Sequence, residues 1–186
     1  MKPEPGTLFL VPTPLGEDSL AAILPRPVIE LVAGLDYFVA ENAKSARAFL
    51  KAIHAEVPLR VALQSIQIAK LDGSTPEAEL PALLEPLLAG RNAGLVSEAG
   101  APAVADPGAV LVARAHQLGI PVKPLTGPSS ILLALMASGL NGQRFSFQGY
   151  LPVEMAQRRL ELQRLERESR QSRVTQIFIE TPYRNQ

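Results

Sequence analysis

Ala93-Gly94-Leu95-Val96-Ser97-Glu98-Ala99-Gly100-Ala101-Pro102 takes the chain from one kind of element into another. Its first five residues are small or apolar and read as a buried strand. A loop of small residues follows, and Asp106-Pro107 then supplies a helix cap and a proline at the first helical position. Gly119 closes that helix, and Val122 to Leu125 is strand-like again. Strand, helix and strand in this order form the unit from which parallel sheets are built.

The alternation extends both ways. Upstream, Thr7 to Val11 is an apolar run closed by Pro12-Thr13-Pro14, so it reads as a strand. Val28 to Leu35 reads as a helix, Tyr37 to Ala40 as a second strand and Leu59 to Leu63 as a third. Leu80, Leu83, Leu84, Leu87 and Leu88 recur at helical spacing between Pro76 and Ala89, with Pro81 and Pro86 expected to kink or break that helix. Downstream, Ser129 or Ser130 caps an apolar helix that stops near Gly139. Phe145-Ser146-Phe147, a charged helix from Glu154 to about Ser172, and a strand from Val174 to Glu180 complete the order. The fold class is α/β with a mainly parallel sheet. Pro124-Leu125-Thr126-Gly127-Pro128 is the best boundary, giving an N-terminal domain over 1–126 and a second over 127–186.

Composition narrows the chemistry. The 186 residues are 47% hydrophobic and contain no cysteine, which removes disulfides, zinc fingers and thiolate nucleophiles. The longest apolar run, Ile131 to Ala137, is far short of the ~20 residues a membrane helix needs. Met1 to Gly6 lacks the apolar stretch of a signal peptide, so a cytoplasmic protein is expected. The formal net charge of zero divides into −3 over 1–126 and +3 over 127–186.

Ligands of open α/β sheets bind outside the carboxyl ends of the strands. Four loops expected there carry unusual residues: Pro12 to Gly16, Glu41 to Lys44, Glu98 to Pro102 and Thr126 to Ser130. Small residues let backbone approach a ligand, and prolines fix the loop in advance. One such loop is an ordinary turn; four on one edge suggest a site. No Gly-x-Gly-x-x-Gly follows the first strand and no phosphate-binding P-loop occurs, against nicotinamide and P-loop nucleotide chemistry.

Val11-Pro12-Thr13-Pro14-Leu15-Gly16, Ser97 to Pro102 running on to Ala105-Asp106-Pro107-Gly108, and Gly127-Pro128-Ser129-Ser130 are similar to blocks of the tetrapyrrole methylase-like family. Gly149-Tyr150-Leu151-Pro152 and Glu180-Thr181-Pro182-Tyr183-Arg184 resemble two more, in the branch of the small-subunit ribosomal RNA cytidine 2′-O-methyltransferases. The resemblance implies a two-domain α/β methyltransferase, usually a homodimer, with S-adenosylmethionine bound between domains and no metal. It implies that Pro14, Leu15, Gly100, Ala101, Val104, Ser129 and Ser130 line the cofactor site, largely through backbone groups. Two segments depart from the branch: Asn42-Ala43-Lys44 stands where it has Asp-Thr-Arg, and Gln64 to Ile68 where it has His-Asp-His-Asn-Glu. If those segments touch the acceptor, the acceptor differs from that cytidine. The chain also stops short of the final elements the family's second domain carries, so a truncated second domain is expected.

Methyl transfer from a sulfonium needs in-line placement, which contributes roughly 7–11 kcal/mol, and a hydroxyl acceptor gains from a general base. By position the candidates are Glu41, Glu98 and Asp106, with Glu41 favoured because Asp106 reads as a helix cap and Glu98 as a solvated loop carboxylate. His54, in a polar connection, and His116, near a helix end, are poor candidates. Between Glu154 and Arg173 lie six arginines and four glutamates, with Glu154–Arg158, Glu161–Arg164 and Glu166–Arg170 at pairing distances. A largely self-paired surface helix is expected, leaving Arg159, Arg167 and Arg173 for contact with RNA phosphates. The leading reading is a methyltransferase acting on RNA; the alternatives are a small-molecule methyltransferase and a catalytically silent cofactor-binding protein.

Overall fold

Side chains that alternate between two faces build the first sheet. Its strands are β1 (Leu8–Val11), β2 (Tyr37–Ala40), β3 (Gln67–Lys70), β4 (Ala93–Val96) and β5 (Val122–Pro124), in the order β3-β2-β4-β1-β5. All four pairings are parallel. The computed structural model describes residues 3–16 and 19–180, and the chain divides into two units, Met1–Ser129 and Ser130–Gln186.

Both faces of the first sheet are covered. Val11, Phe38, Ala40 and Val96 pack against α1 (Leu20–Ile23), α2 (Arg26–Ala33) and α3 (Ala43–Glu56). Leu8, Tyr37, Val39 and Leu95 point the other way, onto α4 (Leu80–Leu88) and α5 (Gly108–Gln117). At roughly 1.5–3 kcal/mol for each large side chain fully removed from water, these two layers dominate the unit's stability. Gly94 is required between them: a Cβ there would lie 2.6 Å from the Phe38 ring.

Strand order fixes the helix faces. The steps β1 to β2 and β2 to β3 cross the sheet in one direction, and β3 to β4 and β4 to β5 return in the other. Right-handed crossovers therefore place α1–α3 on one face and α4–α5 on the opposite one. The direction reverses between the neighbours β1 and β4, where a parallel sheet opens a crevice at its carboxyl edge.

In the second unit α6 (Ser130–Ser138) precedes β6 (Phe145–Tyr150), α7 (Met155–Ser172) and β7 (Thr175–Ile179). β6 and β7 are parallel, with α7 as their crossover. The ladder shifts register between Phe147 and Tyr150, where Gly149 takes φ +69. The motif running from Glu180 through Thr181, Pro182, Tyr183 and Arg184 lies, after Glu180, outside the described residues.

Three expectations are corrected. The third strand is Gln67–Lys70, not Leu59 to Leu63. Leu59, Val61 and Leu63 instead pack as a loop against the α2–α3 core, while the true strand is an edge with polar ends and only two half-buried middle residues. His54 sits in the last turn of α3, where its Nδ1 accepts the Leu59 N–H at 3.2 Å. The leucine-rich helix begins at Leu80, after a 3-10 turn over Glu77–Glu79, so Pro81 falls in the first turn, where its missing donor is harmless.

Candidate active site

The loops leaving β1 and β4 close on one another at the switch point. Thr13 and Gly100 form an isolated antiparallel bridge, each N–H donating to the other's carbonyl at 3.0 and 3.1 Å. Thr13 is almost fully buried, and its Oγ1 donates to the Ser97 carbonyl at 3.2 Å. Gly100 takes φ +76, and a Cβ on it would lie 3.0 Å from Leu15 Cδ2 and 3.8 Å from the Pro128 carbonyl oxygen. The loop after β5 joins at a second glycine: a Cβ on Gly127 would lie 2.4 Å from the Pro12 ring and 3.1 Å from Leu24. Three of the loops marked in the sequence therefore meet, through a glycine held in the left-handed region and a second with no room for a side chain.

The β4 loop is held in an unusual backbone. Ala103 and Ala105 take φ of +65 and +56, a region most residues avoid at a cost of roughly 1–2 kcal/mol. Asp106 compensates, its Oδ1 accepting the Ala103 N–H at 3.1 Å and the Gly108 N–H at 2.6 Å. It thus does the work of a cap, although the regular helix starts at Gly108 and Pro107 is already helical.

Carboxylates gather on the same edge. Glu41 is half-buried just after β2, in register with the exit of β4. Burial pushes its carboxyl above the usual range, as do the charge of Asp106, the charge of Glu98, a hydrogen bond with Asp106 and the charge of Asp72. Glu98 is exposed and accepts the Ser45 hydroxyl at 2.6 Å. Asn42 caps α3, its Oδ1 accepting the Lys44 N–H at 2.8 Å. A cavity of about 230 Å³ opens beside these loops, lined by Thr13, Pro14, Ser45, Phe49, Ser97 and Glu98 among others.

Pro14, Leu15, Gly100 and Ala101 lie on the two bridged loops, with Leu15 exposed against Gly100. Val104 is exposed further along the β4 loop, and Ser129 is half-buried at the end of the first unit. Ser130 is the exposed first residue of α6, in the second unit. Thr13, Ser45 and Asp72 were not marked by the sequence as site residues. Thr13 carried a signal, a small polar residue between two prolines after a strand, whereas Asp72 was missed because the third strand was misplaced. Gln64 to Ile68 stands elsewhere: it covers a 3-10 turn and the start of β3, and Gln67 bonds Arg91 near the sheet's amino edge. The loop leaving the carboxyl end of β3 is Leu71 to Thr75. Among the described residues no cluster of metal-ligating side chains occurs and no helix is long and apolar enough to cross a membrane.

A solved structure shares this doubly covered parallel sheet. The uroporphyrin-III-C-methyltransferase of Thermus thermophilus superposes over 79% of this chain and 64% of its own, with a TM-score of 0.51 at 20% identity. Sequence comparison reaches further. Proteins named ribosomal RNA small subunit methyltransferase I are 34% identical over 177 residues in Vibrio cholerae, 35% over 179 in Escherichia coli O157:H7 and 36% over 179 in Mycobacterium bovis. These alignments take in 95–96% of this chain and 56–58% of those proteins, so the chain spans under two thirds of their length. Compared with models of known protein families, the chain matches none. The chain is thus similar, over nearly all of its length, to proteins named ribosomal RNA small subunit methyltransferase I, and it shares its fold with the uroporphyrin-III-C-methyltransferase.

Proposed function

We propose that this protein is an S-adenosylmethionine-dependent methyltransferase acting on RNA of the small ribosomal subunit. The observation that carries the reading is the meeting of the β1, β4 and β5 loops at the switch point, through Gly100 in a left-handed backbone and Gly127 with no room for a Cβ. The names of the relatives support the RNA substrate. The resemblance also favours a cytoplasmic homodimer, with a first domain over 1–126 and a second over 127–186.

The residues present fit the cofactor. Gly100 and its bridge to Thr13 offer a bare backbone surface beside Leu15. Pro14, Leu15, Gly100, Ala101 and Val104, with Ser129 and Ser130, would hold it. When bound it supplies an electrophilic methyl group on a good leaving group. The chain must then orient the acceptor in line and remove its proton. Glu41 suits the second task, because burial and neighbouring carboxylates make its carboxylate a stronger base than an ordinary glutamate. Asp106, which orders the β4 loop through the Ala103 and Gly108 N–H groups, is one of the carboxylates that raise the Glu41 carboxyl.

Two measurements test the proposal. S-adenosylhomocysteine should raise the melting temperature of the wild type and fail to do so for Gly100→Val. Expression in a strain lacking its own small-subunit methyltransferase I should restore the missing methyl mark on ribosomal RNA. Absence of cofactor binding by calorimetry at millimolar ligand would sink the methyltransferase reading altogether.

A further inference from the structure

The second unit carries all its positive charge on arginine. Residues 130–186 hold eight arginines and no lysine, whereas residues 1–129 hold five of each. A surface that needed charge only for solubility would use both. Arginine's planar fork binds phosphate through two parallel hydrogen bonds, which lysine cannot do.

The pairing within α7 sorts these arginines. Arg164 is clamped by Glu161 at 2.6 Å and Glu168 at 2.7 Å, on the flank toward the half-buried side. Glu154 caps the helix instead of pairing Arg158: its two oxygens accept the Ala156 and Gln157 N–H groups at 2.9 and 2.8 Å. Arg159, Arg167 and Arg173 form no ion pair among the described residues and are exposed. Leu165 marks the buried side of α7, and Arg159, Gln163, Arg167 and Arg170 share the opposite one. Arg159 and Arg167 stand about 12 Å apart along the axis. Arg170 pairs only with exposed Glu166, a contact a phosphate readily replaces.

Arg173 is the telling residue. It ends α7 in the left-handed conformation, φ 52 and ψ 40, where glycine is the usual choice. The Asn141 side chain holds it there, its amide donating to the Arg173 carbonyl at 3.0 Å while its Oδ1 accepts from Arg144 N at 3.2 Å. The turn thereby presents Arg173 and one further exposed arginine, Arg144, at the end of the stripe.

We infer that the exposed face of α7, from Arg159 through Arg167 and Arg170 to Arg173, is a docking surface for the phosphate backbone of RNA. The inference rests on the RNA substrate proposed above and adds where the strand is gripped.

The test uses the full chain and a fluorescein-labelled single-stranded RNA of about twelve nucleotides, read by anisotropy across a sodium chloride series. Replacing Arg159 and Arg167 by Gln and Arg173 by Gly should flatten the slope of log affinity against log salt by about 0.7 per lost contact, about 2 in all. Arg173→Gly alone should raise the melting temperature yet still flatten the slope, so lost binding cannot be ascribed to misfolding. A control removing Arg47, Lys51 and Lys123, equal in charge, should leave the slope in place. An unchanged slope in the triple variant, or an equal fall in the control, overturns the docking surface. So does competition by polyglutamate as strong as that by RNA per charge, which would make the partner a protein. S-adenosylhomocysteine binding by calorimetry separates the two ideas: a flat result there fails the methyltransferase reading, whatever the salt slope does.

Discussion

Replacing Gly100 by Ala probes the junction on which the site depends. With φ +76, an alanine at this position accepts a left-handed backbone at a cost of roughly 1–2 kcal/mol. Its Cβ meets Leu15 Cδ2 at 3.0 Å, a tight contact with the far end of an exposed side chain that can swing away, so sterics add less than the backbone does. The expected loss is about 1–2 kcal/mol, or a melting temperature lower by about 2–8 °C for a chain of this size. Gly16→Ala is the matched control, since nothing lies within 4 Å of its Cβ and its φ is not left-handed; it should stay within about 0.5 kcal/mol of wild type. Gly100→Asn should recover part of the loss, because asparagine tolerates the left-handed region while keeping the contact. Urea titration of the four proteins, followed by calorimetry with S-adenosylhomocysteine, reads stability and binding separately. If Gly100→Ala is as stable as Gly16→Ala, the left-handed bridge to Thr13 is not what holds these loops.

Gly127→Ala should cost more per added atom, about 1–3 kcal/mol by urea denaturation, because its Cβ strikes the rigid Pro12 ring at 2.4 Å and moves the exit of β1. Tyr37→Phe should lose about 0.5–1.5 kcal/mol, since the buried hydroxyl donates to the Leu83 carbonyl at 2.9 Å; an unchanged urea midpoint would show that the bond adds nothing. For Glu41 the folded state favours the protonated carboxyl, so its contribution is present below the ordinary glutamate range and lost as pH rises through the raised value. Glu41→Gln should therefore melt higher than wild type at about pH 8, with the gap closing toward about pH 4; a gap independent of pH would assign the effect to packing.

Most of the first sheet was legible because its central strands are buried on both faces. Tyr37 to Ala40 and Ala93 to Val96 are wholly buried and read as apolar runs bounded by turn residues. β3 was not legible for the converse reason: an edge strand with Gln67 and Lys70 at its ends has no apolar run, and Leu59, Val61 and Leu63 imitate one by packing as a loop. The site was half legible. Glycines and prolines announce where backbone must turn tightly, but the Thr13–Gly100 bridge joins residues from distant parts of the chain. Nothing local in Ser45 foretells its bond to Glu98, or in Asp106 its effect on the Glu41 carboxyl. Of the three ion pairs expected in α7, Glu161–Arg164 and Glu166–Arg170 form, whereas Glu154 spends both oxygens on backbone donors that only the helix start creates.

The same distinction bears on the acceptor. Two departures from the ribosomal RNA branch suggested a different substrate, and the fold gives Asn42 and Gln67 structural tasks of their own. Asn42 stands where the branch has aspartate, but its oxygen caps α3, a task either side chain performs through the same atom. Gln64 to Ile68 enters the sheet at its amino edge, where Gln67 helps Arg91 pair with Asp36 and Arg91 lies 5.1 Å above the Tyr37 ring. Ligands of a parallel sheet gather at the other edge, so that segment lies away from the loops that meet at the switch point. The comparison that matters falls on Leu71 to Thr75, the loop that does leave the carboxyl end of β3. There Asp72 holds Ser74 and Thr75 in a closed turn and adds its charge to the field on Glu41. The charge of Asp72 is one of those that raise the Glu41 carboxyl above the usual range. The carboxylates at this edge thus answer to one another, Asp106, Glu98 and Asp72 all raising the Glu41 carboxyl.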